Sequence, residues 1–243
     1  PPSLPPPPRQ PDEYVKVGVF YATNRTAVVN FENTDLDDRY TALPGKLNYG
    51  QAEVSIPKTH ATGELESPVW YQFEFRDDPV KHIVLLDLKR QSKNDFFASM
   101  AERVNQSKGK NAFVFIHGYN VSFSNAARRT AQMSYDLNFD GAPVFYSWPS
   151  QGSLSGYFMD EKSIALSSVH IQNFLADFAD HSTAKNLYVI GHSMGTRGVT
   201  QAIKDLVRKR PDLRHRFRGI ILAAPDIDAE VFRRDLAPSL KLA

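Results

Sequence analysis

Cysteine is missing altogether from the 243 residues. That excludes disulfides, thiolate nucleophiles and thiolate-bound metals, and it leaves the redox compartment unreadable. Neither sign of charge dominates: 29 lysines and arginines against 27 acids give a formal +2. The balance argues neither for nor against nucleic acid, and no nucleic-acid partner is expected. No apolar run approaches the roughly 20 residues that a membrane helix needs, so no integral membrane segment is expected. Paired histidines at ligand spacing and phosphate-cradling glycine loops are absent too, so neither a metal nor a cofactor is expected. No internal repeat is visible. What remains is an ordinary globular composition, 42% hydrophobic and 23% charged, long enough for one large α/β domain with a full core.

Proline is concentrated rather than scarce. Seven of the 16 prolines fall in residues 1–11. Such a stretch favours an extended polyproline form and joins no core, so residues 1–12 read as a linker. A ligand for a proline-binding module is the alternative. Residues 13–243 read as the folded domain. The chain opens on Pro1 rather than methionine, which leaves open a removed leader and a bacterial-envelope or secreted location. It closes on Lys241-Leu242-Ala243, which a common cloning site would encode ahead of a tag. The natural protein is therefore expected to continue past Ala243.

Hydrophobic periodicity divides the rest in two. Strands are expected at 14–21, 47–56 and 83–88, and another where Tyr71, Phe73 and Phe75 alternate with polar residues. Their closeness suggests a β-rich, antiparallel start. Then the pattern changes. Helices at 96–104 and 124–137, around Ile171, Phe174, Leu175 and Phe178, and up to Lys209 alternate with strands at 112–116, 143–148, 187–190 and 220–223. A helix is also expected at 228–236. Alternating strands and helices imply a mostly parallel sheet with helices on both faces. Its strands read as unbroken apolar runs because both faces are covered.

The most informative residues are Gly191-His192-Ser193-Met194-Gly195. They follow the apolar stretch at 187–190 and precede Val199, Ala202, Ile203 and Leu206 at helical spacing. Strand, tight turn and helix are what a nucleophile elbow needs, with Ser193 at the tip. A serine hydroxyl attacks only with a base, an acid to orient that base, and donors for the oxyanion. His117-Gly118-Tyr119-Asn120 follows the strand at 112–116 and supplies a second element. In an elbow-bearing sheet that loop lies beside the serine, and the backbone N–H groups of Tyr119 and Met194 then form the oxyanion hole. The plainer alternative for His117-Gly118 is a strand-ending turn with a satisfied buried histidine.

The chain resembles an α/β-hydrolase of the bacterial esterase/lipase-like family formerly described as a domain of unknown function. The stretches that carry the resemblance are Tyr21-Ala22-Thr23-Asn24-Arg25, Val54-Ser55-Ile56-Pro57, Phe115-Ile116-His117-Gly118-Tyr119-Asn120, Ser147-Trp148-Pro149-Ser150, the elbow, and Ala224-Pro225-Asp226-Ile227-Asp228. The resemblance implies an α/β-hydrolase fold and ester hydrolysis by a serine nucleophile without a cofactor. It also implies a further strand, an aspartate and a histidine beyond Ala243, so the fold is expected to be truncated at its C-terminal end.

Chain order in this fold is nucleophile, acid, histidine. The one histidine after Ser193 is His215, which lies in a basic connector ahead of the strand at 220–223 and reads as a surface residue. His192 is adjacent to Ser193 and its side chain diverges from it. Asp226 is a candidate acid, since it follows that strand on the side where the site lies. Alternatively Asp226 or Asp228 caps the next helix. Residues 150–159 lie at the same sheet end, and Leu154, Tyr157, Phe158 and Met159 are candidates to line an acyl pocket. An ordinary loop with a helix starting at Asp160 is the alternative.

The leading expectation is a serine carboxylic-ester hydrolase for a small-molecule or lipid-like ester. An acyltransferase on the same machinery and a non-catalytic binding module are the competing readings. Without a base this chain should turn over little. A sheet lacking its last strands would expose an edge and favour self-association.

Overall fold

The computed structural model describes residues 13–63, 78–227 and 229–237. Its strands are β1 (Tyr14–Ala27), β2 (Tyr40–Pro57), β3 (Val84–Gln91), β4 (Asn111–Ile116), β5 (Gly141–Ser147), β6 (Asn186–His192) and β7 (Phe217–Ala223). Its helices are α1 (Lys93–Gln106), α2 (Phe123–Asp136), α3 (Tyr157–His181), α4 (Gly195–Lys209) and the single turn α5 (Ala229–Val231). The strands form one sheet in the order β3-β2-β1-β5-β4-β6-β7. β1, β2 and β3 pair antiparallel, and the remaining pairs are all parallel. This is an α/β-hydrolase fold, mostly parallel, with an antiparallel N-terminal part.

Helices cover both faces. On one, Phe96 and Met100 of α1, Ile171, Phe174 and Leu175 of α3, and Val199 and Ile203 of α4 pack on Val114, Val144 and Val189. On the other, α2 lies against Tyr21, Phe113 and Phe145. Phe123 at its start packs on Tyr21 and Phe145, and the fully buried Ala126, Ala127 and Ala131 beyond it are small enough to let the helix sit close to the sheet. Serine caps start α1 and α2, where Ser92 and Ser122 accept the Asp95 and Asn125 amides. Val199, Ala202, Ile203 and Leu206 form the buried stripe that the sequence spacing predicts for α4.

Three elements differ from expectation. β1 runs on to Ala27, because Thr23, Asn24 and Arg25 are buried strand residues whose polarity breaks the apolar pattern. β2 likewise begins at Tyr40 and pairs irregularly with that extension, with register shifts on both sides of Arg25. The helix expected at 228–236 is the short turn α5 followed by a π-helical turn at Phe232–Leu236. The expected strand around Tyr71, Phe73 and Phe75, the proline-rich segment and Asp228 lie outside the described residues.

Register decides what meets at the carboxyl ends of the parallel strands. Ile116 pairs with Gly191 and with Tyr146, Gly191 pairs with Leu222, and Thr23 pairs with Ser147. Residues 23–25, 117–122, 147–151, 193 and 224–226 therefore converge on one end of the sheet. β7 is the last strand in that order, and its Ile221 is 51% exposed. Among the described residues no helix is long and apolar enough to cross a membrane.

Candidate active site

Ser193 sits between β6 and α4 with φ at +48°, a left-handed conformation that side chains rarely adopt. The backbone around it is fastened. Its N–H donates to the Ala223 carbonyl at 3.0 Å, and its own carbonyl accepts from the Thr196 amide at 3.0 Å and the Thr196 hydroxyl at 2.6 Å. Two glycines allow this arrangement. A Cβ on Gly195 would stand 2.7 Å from the Ile116 carbonyl oxygen and closer still to that of His117, so any side chain would push α4 off β4. A Cβ on Gly118 would stand 2.8 Å from the Cβ of Ser193. The loop after β4 therefore packs directly on the elbow at Gly118, the residue before Tyr119. Met194 is the N-cap of α4, so its amide has no acceptor within the helix geometry and lies at the positive end of the helix dipole.

The imidazole of His117 has a different role from its backbone. It is buried and stacks on Trp148 with ring centres 5.1 Å apart. Its Nδ1 lies 2.9 Å from the Gly118 carbonyl and its Nε2 lies 3.0 Å from the Ser147 hydroxyl. Burial, and then the charge of Arg25, pull its pKa down to about 3, so it stays neutral in the physiological range. The side chain is thus a satisfied buried histidine, while the loop that it begins lines the elbow. The His192 imidazole is also held below its ordinary value, by desolvation and then by the charge of Arg129.

Asp226 reaches the elbow through its backbone. Its N–H points to the Ser193 carbonyl at 3.4 Å and the Thr196 hydroxyl at 3.2 Å. Its carboxylate faces the Arg197 guanidinium at 3.3 Å and accepts from the Tyr157 hydroxyl at 3.4 Å. Arg197 in turn donates to Glu161 at 2.6 Å. Tyr157, Phe158 and Met159 form the first turn of α3 rather than a loop, which starts three residues before Asp160. Phe158 is 77% exposed, so these residues make an apolar ridge at the rim and not the wall of a closed pocket.

Sequence reasoning missed two buried ions beside the site. Arg25 donates to the carbonyls of Val121 (2.8 Å), Ser150 (3.0 Å) and Thr41 (3.3 Å), and to the Ser147 hydroxyl (2.8 Å). Asp160 accepts from the Ser150 hydroxyl (2.5 Å) and from the amides of Gln151 (2.7 Å) and Asn120 (3.2 Å). The cation collects carbonyls and the anion collects amides from the same two loops. Burial lowers the Arg25 pKa to about 9 while Asp160 opposes that shift, and the guanidinium keeps its charge at neutral pH. The signal was Arg25 inside a resemblance-bearing stretch, but its partners lie far along the chain.

An acid–histidine pair does exist elsewhere. His60 Nε2 lies 2.7 Å from Asp136 Oδ1, at the carboxyl end of α2 and hence at the opposite end of the sheet. A cavity of about 690 Å³ lined by Val17, Gln51, Arg103 and Tyr135 is also at that end. His215 is exposed in the 3-10 turn Pro211–Arg216 ahead of β7, again away from Ser193. Among the described residues no cluster of His, Asp and Glu could hold a metal ion.

A family model described as an alpha/beta hydrolase of unknown function (DUF900) matches residues 92–242, more than half of the chain. Neither a curated protein nor a solved structure matches it.

Proposed function

The chain belongs to this alpha/beta hydrolase family, and from that premise we propose that it is a serine carboxylic-ester hydrolase with Ser193 as its nucleophile. The observation that carries the reading is the strained serine at +48°, packed against the Gly118–Tyr119 loop at the head of α4. Strain of this kind persists only where the surroundings impose it, and it lifts the hydroxyl clear of the sheet. Ser193 Oγ adds to the acyl carbonyl and passes its proton to a base. The amides of Tyr119 and Met194 hold the oxyanion. The alcohol then leaves, and water releases the acid from the acyl-enzyme.

The reading needs a histidine base that His117, His60 and His215 do not supply. His117 is committed to Gly118 and Ser147, and His60 and His215 lie at the far end of the sheet. Asp226 serves as the orienting acid only if its carboxylate exchanges Arg197 for that histidine. Its engagement with Arg197 and Tyr157 favours a second reading, a hydrolase scaffold that binds esters without turnover.

The test is hydrolysis of short p-nitrophenyl esters and labelling by a fluorophosphonate in the full-length protein. Ser193→Ala should abolish labelling and lower kcat by about 10⁴-fold or more. Turnover that survives in this variant overturns the assignment of Ser193. Ester binding with neither turnover nor labelling supports the second reading.

A further inference from the structure

We infer that Arg25, Ser147 and His117 form a hydrogen-bond relay that fixes the His117 tautomer and thereby aims the Tyr119 amide of the oxyanion hole. The inference rests on the proposed role of Ser193 only in its kinetic part.

The relay has one consistent direction, set by what each group is able to donate. Arginine has donors and no acceptor. Its Nε–H therefore donates to the Ser147 Oγ, 2.8 Å away. Ser147 Oγ then has its own proton to give, and His117 Nε2 lies 3.0 Å from it. An imidazole that accepts at Nε2 and stays neutral carries its proton on Nδ1. Nδ1 lies 2.9 Å from the Gly118 carbonyl, which only accepts. Every donor in this line has an acceptor, and reversing any one bond leaves a buried group unpaired.

The last bond is the consequential one. The Gly118 carbonyl and the Tyr119 N–H belong to the same planar peptide unit, and in a trans peptide they point in opposite directions. Holding that carbonyl fixes where the Tyr119 N–H points. The loop is secured just downstream as well. Asn120, at φ +57°, donates its amide to Asp160, and Val121 donates its amide to Ser150 while its carbonyl accepts from Arg25. The stack of Trp148 on His117 and the bond from the Trp148 indole to the His117 carbonyl, 2.7 Å, keep the ring in the plane that the relay needs. Arg25, Ser147 and His117 are positioning residues, since they act through the peptide and not on the substrate.

Two readouts separate this from a merely structural role. The first is the ¹⁵N spectrum of histidine-labelled protein, which reports the tautomer without any need for catalysis. The wild type should show His117 protonated on Nδ1 near neutral pH. Ser147→Ala should leave the proton on Nδ1, which still faces the Gly118 carbonyl, but move the Nε2 resonance downfield to that of a pyridine-type nitrogen without a hydrogen bond. A wild-type ring protonated on Nε2, or an unmoved Nε2 resonance in a folded Ser147→Ala protein, overturns the relay.

The second readout is kinetic and uses the full-length protein. His117→Asn places an amide donor where Nδ1 stood, whereas His117→Gln reaches toward Ser147 and leaves the Gly118 carbonyl. Both lose the imidazole, so folding losses act on both. The Asn variant should exceed the Gln variant in kcat by about tenfold, with KM within about twofold, as for an interaction made only in the transition state. Equal kcat in the two variants overturns the kinetic part. If Ser193→Ala retains turnover, the nucleophile assignment fails instead, and the tautomer experiment still decides the relay.

Discussion

The elbow and the loop facing it achieve the same end, a fixed backbone, by different means. Ser193 is aimed by sterics. Its neighbours Gly191 and Gly195 lack side chains, so α4 packs closely on β4, and the residues that make this possible are five consecutive ones. The 117–122 loop is aimed by side chains that arrive from elsewhere. Ser147, Ser150, Asp160 and Arg25 reach it from 29 to 96 positions away. Steric aiming is local and indifferent to pH. Aiming by buried charge and hydrogen bonds depends on distant positions and on protonation. Each contrast is open to direct attack.

The largest effect is expected on the loop side. Arg25→Met keeps the bulk but removes the cation, and it leaves Asp160 buried without its counter-charge. The buried acceptors that Arg25 leaves unpaired cost about 1–3 kcal/mol each. Denaturant unfolding should show that loss, and Arg25→Met combined with Asp160→Asn should lose less than the sum of the two single variants. Strict additivity would mean that the two ions act independently, and that the loop is not held by their opposition.

Next comes the elbow. Gly195→Ala places a methyl group against the Ile116 and His117 carbonyls, which are backbone atoms and yield little. Overpacking of this kind costs about 1–3 kcal/mol. A melting temperature equal to the wild type, with fluorophosphonate labelling intact, would show that sterics do not set the elbow.

The same contrast explains how much was legible in the sequence. The elbow was legible because its constraints are consecutive: strand, glycine, serine, glycine, helix. The α4 stripe and the apolar strands 112–116 and 187–190 were legible because periodicity reports burial. The loop at 117–120 was legible too, but the side chains that hold it were not. Thr23, Asn24 and Arg25 look like the end of a strand, because polarity within an apolar pattern ordinarily marks an exit to solvent. Here Thr23 donates to the Ser147 carbonyl at 2.6 Å and Asn24 to Ser167 at 3.0 Å, so polarity is buried with its partners. Asp160 reads as a helix start, and it does lie in the first turn of α3. Its side chain turns inward to three loop donors rather than capping the helix, and no local pattern announces that. For Asp226, sequence order suggested an acid, but nothing in the order showed that Arg197, one helical turn past the nucleophile, would meet it.

Acid sharpens the comparison further. The His117 pKa lies at about 3 in the folded protein, against about 6.5 for a free imidazole. Between these values the unfolded chain binds the proton and the folded one does not. Stability from this group is therefore complete above about pH 6.5 and falls as pH drops toward 3, by up to about 1.4 kcal/mol per unit. His117→Gln, which has nothing to protonate, should flatten that slope. Thermal unfolding from pH 7 to pH 4.5 makes the comparison. Parallel slopes in the two proteins would mean that the buried ring does titrate in the folded state.

The smallest effect is at the nucleophile itself. A left-handed conformation costs a residue with a Cβ about 1–2 kcal/mol, and glycine escapes most of that cost. Ser193→Gly keeps the +48° turn without the strain, while glycine's greater freedom in the unfolded chain returns part of the gain. The net expectation is stabilisation by up to about 1 kcal/mol, together with complete loss of labelling. Ser193→Ala, which keeps the Cβ, should lose labelling without that gain. The pair of variants separates strain from chemistry at one atom. If Ser193→Gly is no more stable than Ser193→Ala, the serine is not held against its backbone preference, and its aim comes from the loop side after all.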